Sequence, residues 1–554
     1  MTKTAFFALA VLLWAGVATG QQADPLLEDH RQRALEERTN ALGTMVERGA
    51  TPDPGPAQAR GGPCFSVDTI TIEGVTLFPP AQIEAMTAPY AGRCLEGADI
   101  QALIRGLNAL YADRGYITSR SYIPAQNLGG GSLILSVLEG RVEDIFLVQS
   151  GAQVTGPRAE RLLGSAFPKA RGGLFQLRDF EQGLDQMNRL RSVEATLQLQ
   201  PGAEPGGSFV VVQREQADRF RGWLRFDDLG GESTGRNRIS LDLELDDMLG
   251  WNDNWGFGYT GSQNTNALSL YGSVPRGYWT FGMSAGYSEY LTPLSPSAEL
   301  FGTTIEGGIE ARRMLKRDQF TTTEARVALN LRRADRFVNA ARLTPQVLST
   351  FEIGATHMRL SAGARNSFDA TLRFGLDAFG ANSDDPTAVA GTPQAQFAAL
   401  SFGWQRQGAL GSLGTMVNDL RGQLSADALY GSEQIAFGSY STVRGYSETA
   451  AAGDSGVYIR NDLYLDQSIW SRVLPEKIIP ALAGGFQPHL FLDMGVAWDR
   501  GRHSRETAAG AGLGISWFSD RITLGGLIGV PMIDENHVKI GDPLMQVRLD
   551  VKGW

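Results

Sequence analysis

Beyond its first twenty residues, this chain of 554 residues has no run of eighteen uninterrupted apolar residues. That excludes a membrane-spanning helix from the rest of it. Cysteine is nearly absent: Cys64 and Cys94 are the only two, both in the N-terminal third. An excess of basic residues is also missing. The formal net charge of −10 offers no footprint for nucleic acid, so none is expected as a partner. There is no P-loop, HExxH, clustered Cys/His site or dinucleotide fingerprint, and therefore no cofactor and no metal is expected. Two serine-containing strings survive this filter. GMSAG at Gly282 fits the nucleophile-elbow pattern but lies in a strand-like stretch with no helix after it, where the elbow needs a strand-to-helix turn. GDSG at Gly453 lacks a matching His and Asp context. The chain does not read as an enzyme, and no catalytic residue is assigned.

The composition that is present points outward from the cytoplasm. Residues 1–20 carry Lys3, an apolar run from Ala5 to Val17 and a small-residue finish, the pattern of a secretory signal peptide with cleavage expected before Gln21. In an oxidising compartment, a Cys64–Cys94 disulfide would contribute about 3–4 kcal/mol in the chain-entropy model. A metal site at these cysteines would need further ligands, and none of the five histidines lies close in sequence.

The length suggests several domains, and the pattern divides accordingly. Residues 24–48 are charged and helix-permissive, with a weak apolar stripe of Leu27, Leu35, Leu42 and Met45. Residues 49–63 form a Pro/Gly/Ala linker. Residues 64–140 and 141–216 then repeat one order of elements, β-α-α-β-β. In the first unit, Ile100, Leu103, Ile104, Leu107 and Leu110–Tyr111 share a helix face that ends at Gly115. Residues 177–190 supply the longer helix of the second.

From Arg219 the helical period vanishes. Trp279, Phe281, Met283, Ala285 and Tyr287 alternate with polar or glycine neighbours, as do Leu241–Leu245 and Ala325–Leu331. A soluble sandwich also alternates. Here, however, many strands exceed the usual five or six residues, and carboxylates and arginines recur on the polar face. Long strands of this kind are the signature of a transmembrane β-barrel, in which closure leaves no backbone group unpaired in lipid. Residues 219–554 accommodate sixteen strands, starting near Arg219, Arg236, Asn254, Ala267, Gly277, Phe301, Phe320, Gln346, Ala370, Gln396, Thr415, Ser455, Gln487, Ala509, Arg521 and Leu544. The fold class is thus mainly β with α+β modules, and the lipid of an outer membrane is an expected partner.

The longest connection, residues 430–454, holds Val443-Arg444-Gly445-Tyr446. Its apolar Ile435, Phe437, Tyr440 and Val443 favour packing against the inside of a barrel wide enough to hold water. In HLFLDMGVAW, the outward series Leu490, Leu492, Met494, Val496 and Trp498 turns Phe491, Asp493, Gly495 and Ala497 toward the lumen. A bidentate Arg444–Asp493 pair follows if the loop folds inward. If the loop stands above the membrane, Arg444 meets water, and spacing alone leaves both open.

These residues carry a resemblance. VRGY in the loop and FLDMG on the strand are similar to the two signature motifs of the TpsB transporters of two-partner secretion, outer-membrane pores related to the BamA assembly factors. CLEGADIQALIRGLNALYADRGYITSRSYIPAQNL, Cys94 to Leu128, resembles the first of their paired POTRA domains, including its Cys pair. LRDFEQGLDQMNRL resembles the second, and TGRNR near Thr234 the start of the barrel. The resemblance implies a sixteen-stranded barrel, an N-terminal plug helix at 24–48, and an Arg444–Asp493 pair latching the lumen loop in its transport-competent position. It implies a secreted TpsA-type exoprotein as partner, POTRA units in the periplasm, and a barrel acting as a monomer. The alternative is a BamA-like insertase for other barrels. One departure concerns the last residue: Trp554 falls out of step with Met545, Val547, Leu549 and Val551.

Overall fold

The computed structural model describes residues 64–472, 485–534 and 538–553. The expected signal peptide, the helix at 24–48, the linker at 49–63 and Trp554 lie outside the described residues.

The first N-terminal unit pairs Phe65–Val67 with Arg93–Leu95, and the Cys64–Cys94 disulfide closes this ribbon with Cα atoms 5.3 Å apart. Helices Pro80–Thr87 and Gly97–Asp113 cover a three-stranded sheet in the order Thr69–Glu73, Ser132–Leu138, Arg120–Tyr122. The longer helix starts on a capping box between Glu96 and Asp99 and stops at Gly115, whose φ of 87° a side chain would disfavour. Ile100, Leu103 and Leu107 bury against Leu133 and Leu135, the face that the period predicts. Two expected strands are shorter than their pattern: YITSRSYIP forms only Arg120–Tyr122, because Pro124 cannot donate to the ladder, and SVDTITIEG breaks at Asp68.

The second unit has a four-stranded sheet ordered Ala152–Val154, Arg141–Gln149, Gly207–Gln216, Val193–Pro201. Helices Pro157–Ala166 and Leu177–Asn188 pack on it around Phe175 and Phe180, whose rings stack at 4.7 Å. The two units are joined through backbone: Leu177 donates to Gly115 O at 2.8 Å, and Phe175 to Gly140 O at 2.9 Å.

At the junction Glu139 accepts from Thr76 N at 2.8 Å, Tyr111 OH at 2.8 Å and Leu77 N at 3.2 Å, and also from the Thr76 hydroxyl. Partial burial works to raise the Glu139 pKa. The hydrogen bonds from Thr76, Tyr111 and Leu77 outweigh it and hold the carboxyl below its ordinary range. A depressed carboxyl stabilises the fold above its unfolded pKa of about 4.3, and that contribution is lost as pH falls through the folded value. The gap in thermal midpoint of this unit between the wild type and Glu139→Gln is therefore expected to be widest near neutrality and to narrow below about pH 4. A gap independent of pH would show that the loss is one of shape rather than charge.

The remaining chain closes into an antiparallel barrel of sixteen strands, from Phe220–Asp227 to Leu544–Lys552, with a two-residue strand, Ala341–Arg342, folded back on the seventh. The first and last strands pair from Trp223↔Lys552 to Asp227↔Arg548. Trp279, Phe281, Met283, Ile305 and Ile309 face outward and are exposed, while Thr280, Ser288 and Thr304 are buried within. Two strands begin earlier than expected, at Ala364 rather than Ala370 and at Ser504 rather than Ala509. Their extra residues include Arg365, Asn366, Arg505 and Glu506, which ladder hydrogen bonds carry past the apolar band whatever their polarity.

The second unit docks on the turns at the near end of the barrel. Gln186 Nε2 donates to Gly277 O at 3.0 Å, Arg189 Nη2 to Asn252 O at 2.8 Å, and Tyr278 OH to Asp179 at 2.9 Å.

Candidate functional site

Strand Phe486–Asp499 alternates as its sequence dictates: Leu490, Leu492, Met494 and Trp498 are exposed outward, whereas Phe491, Asp493 and Ala497 are buried on the inner wall. Opposite them lies the connection between strands Gly414–Ser425 and Ser455–Leu465. It folds into the lumen and carries a short hairpin, Ile435–Phe437 with Ala451–Gly453.

The inward course of the loop is set by packing. Phe437, Val443, Tyr446, Ala450 and Ala451 form one buried cluster with Tyr458, Ala497 and Ala508 of the wall. Wall glycines make room for it. A Cβ on Gly495 would lie 2.8 Å from the Phe437 ring, and one on Gly529 would lie 3.2 Å from Gly445 Cα. A Cβ on Gly510 would overlap the carbonyl oxygen of Arg444. Gly445 itself turns the tip with φ 103°. Tyr446 OH donates to Ile533 O at 2.9 Å and accepts from Ala509 N at 3.2 Å.

Arg444, 2% exposed, is held on every side. Its Nε donates to Asp493 Oδ2 at 2.6 Å and its Nη2 to Asp493 Oδ1 at 2.8 Å, a fork-to-fork pair, and its backbone N–H adds a third bond to Asp493 at 3.1 Å. The remaining nitrogen, Nη1, reaches Asp462 Oδ1 at 2.6 Å. The guanidinium lies over the Phe491 ring, 4.1 Å from its centroid. Phe491 and Asp493 of the strand motif thus supply the ring and the carboxylate, and Gly495 the space.

Sequence reasoning missed Asp462. The signal was available: in SGVYIRNDLYL, Val457, Ile459 and Leu463 form one series and Tyr458, Arg460, Asp462 and Tyr464 the other, which places Asp462 inward. Its partner is the motif arginine itself, Arg444, but Asp462 lies outside both motifs, on the strand beside the FLDMG strand, so nothing local marks it. His489 joins the same wall, with Nε2 3.7 Å from Asp462.

The root of the loop has its own fastenings. Arg373 Nη1 donates to Glu433 Oε2 at 3.0 Å, and Asp454 accepts from the amides of Leu429 at 2.7 Å and Arg500 at 2.8 Å. The GDSG string is thereby explained: Asp454 ties loop backbone, and Ser455 Oγ hydrogen-bonds the backbone of Ser425. Ser284 of GMSAG lies inside strand Trp279–Ser295, away from any strand-to-helix turn.

The family model described as haemolysin secretion/activation protein ShlB/FhaC/HecB matches residues 206–517. A ShlB-type POTRA model matches residues 65–140, and a further POTRA model residues 141–201. The outer membrane transporter CdiB of Dickeya dadantii is 31% identical over 535 residues, covering 93% of this chain and 90% of its own. The hemolysin transporter protein ShlB of Serratia marcescens is 28% identical, covering 83% and 86%. The solved structure of CdiB from Escherichia coli superposes with a TM-score of 0.83 at 26% identity, covering 95% and 98% of the two chains.

Proposed function

The chain belongs to the haemolysin secretion/activation family ShlB/FhaC/HecB, and from that membership we propose that it is the outer-membrane pore of a two-partner secretion pair. It stands in the outer membrane with its POTRA units in the periplasm. They receive a secreted exoprotein, which passes unfolded through the barrel to the cell surface. POTRA sheets with open edges suit an extended guest that adds as a strand. No nucleotide is at hand in that compartment, so folding of the cargo outside supplies the direction. The pore works as a single barrel in lipid and performs no catalysis of its own.

The observation that carries this reading is the loop itself. It lies in the lumen against one wall, and its tip is fixed by a single cation between two carboxylates. Relatives that match along most of the chain are named transporters, which favours export over the insertion of other barrels.

The cargo is expected to be a large exoprotein with an N-terminal β-helix-type secretion domain, encoded beside this chain. Co-expression of the two in an outer-membrane host should place cargo in the medium only when this chain is present. Cargo held in the periplasm regardless, with other barrels misfolding when this chain is absent, would assign it to barrel insertion instead.

A further inference from the structure

The turn between the second and third barrel strands is built inside out. Asp246, Asp247, Asn252 and Asp253 have no exposed surface, while Met248, Leu249 and Trp251 are 55%, 37% and 42% exposed. Facing water, that distribution would be reversed. Each of these hidden side chains makes at least one hydrogen bond. Asp247 accepts from Arg158 Nη2 at 2.6 Å and Arg214 Nη2 at 3.2 Å. Asn252 Nδ2 donates to Ser165 Oγ at 2.8 Å, and Asp253 takes the indole N–H of Trp255 at 2.8 Å. Two non-glycine residues, Asp247 and Asn252, hold left-handed backbone, φ 54° and 56°, to present the three apolar side chains.

The turn continues the outward row of the barrel, whose last flanking pair is Leu245↔Trp255. Other turns at this end also show apolar residues, among them Phe320, Leu410 and Leu413, so the rim marks the level of the periplasmic leaflet. Beside the turn, helix Pro157–Ala166 presents two exposed arginines. Arg158 shares Asp247 with Arg214, and Arg161 donates from Nε to Leu249 O at 3.2 Å and makes no ion pair among the described residues. The acidic residue of that helix, Glu160, is paired with Arg171 at 2.6 Å.

We propose that this turn and these arginines form an anchor for an anionic phospholipid of the periplasmic leaflet. Met248, Leu249 and Trp251 enter the boundary between headgroups and acyl chains, where an indole is at home. Arg158 and Arg161 meet the lipid phosphate. Because Asn252 and Asp247 also bind the second POTRA unit, the anchor fixes that unit's tilt against the membrane. The inference rests on outer-membrane placement, and it is tested in vesicles where cargo export plays no part.

In the full chain, whose own cysteines are joined, Met248→Cys takes a spin label, and the protein is reconstituted in phosphatidylcholine vesicles containing phosphatidylglycerol. The label is expected to relax more strongly with oxygen than with a water-soluble nickel chelate. Stronger relaxation by nickel, as in open water or under a protein partner, would overturn the anchor. Arg161→Gln can still donate to the Leu249 carbonyl and loses only the charge. By native mass spectrometry it should weaken retention of phosphatidylglycerol about fivefold, the worth of one arginine at an anionic surface, and leave phosphatidylcholine unchanged. Equal losses of both lipids, or none, would overturn the phosphate contact.

Discussion

Export is expected to fall by about two orders of magnitude in Arg444→Ala, with the barrel still inserted and heat-modifiable. The size follows from what the substitution leaves behind. Asp493 and Asp462 both accept from this one guanidinium, so its removal strands two buried carboxylates on the same wall. Removing one partner of a buried pair costs about 3–5 kcal/mol. The sixteen-strand ladder does not pay it, because the loop can leave the wall and let water reach both carboxylates. The seated loop, the transport-competent starting position that the resemblance implies, is then sparsely populated. Arg444→Lys should recover part of the loss and no more: a point charge cannot fork onto Asp493 and reach Asp462 at once. The readout is cargo in medium against periplasm, with barrel insertion checked in parallel. Unchanged export would make the grip part of the architecture and not of the mechanism.

The second large effect changes no charge. Gly510→Val should abolish export nearly as completely, because its Cβ would occupy the place of the Arg444 carbonyl oxygen. Backbone on both sides leaves nothing flexible to yield, so the loop tip must lift. Valine suits a strand, and the ladder from Met494↔Ala509 to Phe491↔Gly512 need not alter. If Arg444→Ala and Gly510→Val fail alike, loop position is the common cause. If only Arg444→Ala fails, the charge acts apart from the seating of the tip. In the double variant the losses should not add, since both act through one displacement.

The two levels of this structure were not equally readable in the chain. The outward rows were plain because a period of two over ten or more residues admits one reading, and the inner face then follows by exclusion. Asp493 was found that way. Strand ends were not, since a ladder extends through Arg365–Asn366 or Arg505–Glu506 without any change of hydropathy to announce it. Arg444 stood out as a lone cation among apolar residues, yet its second carboxylate, Asp462, went unseen. Which inward groups share one height depends on strand stagger, and sequence does not print it. The turn at 247–253 misleads for a similar reason: DDMLGWND reads as a solvated loop until the second POTRA unit covers its carboxylates.

The small residues under the loop have a further consequence. Along strand Ser504–Phe518 the inner face runs Ala508, Gly510, Gly512, Gly514, and Gly495 and Gly529 continue it on either side. Their backbone N–H and C=O groups are already engaged with neighbouring strands. When arriving cargo displaces the loop from its seated starting position, that strip is left bare of side chains of its own, flanked by Phe491 and Asp493 of the next strand and with no free amides to pair with a guest. Along that strip a passing chain would meet only backbone already paired, which it cannot join as a strand, as long and varied cargo requires.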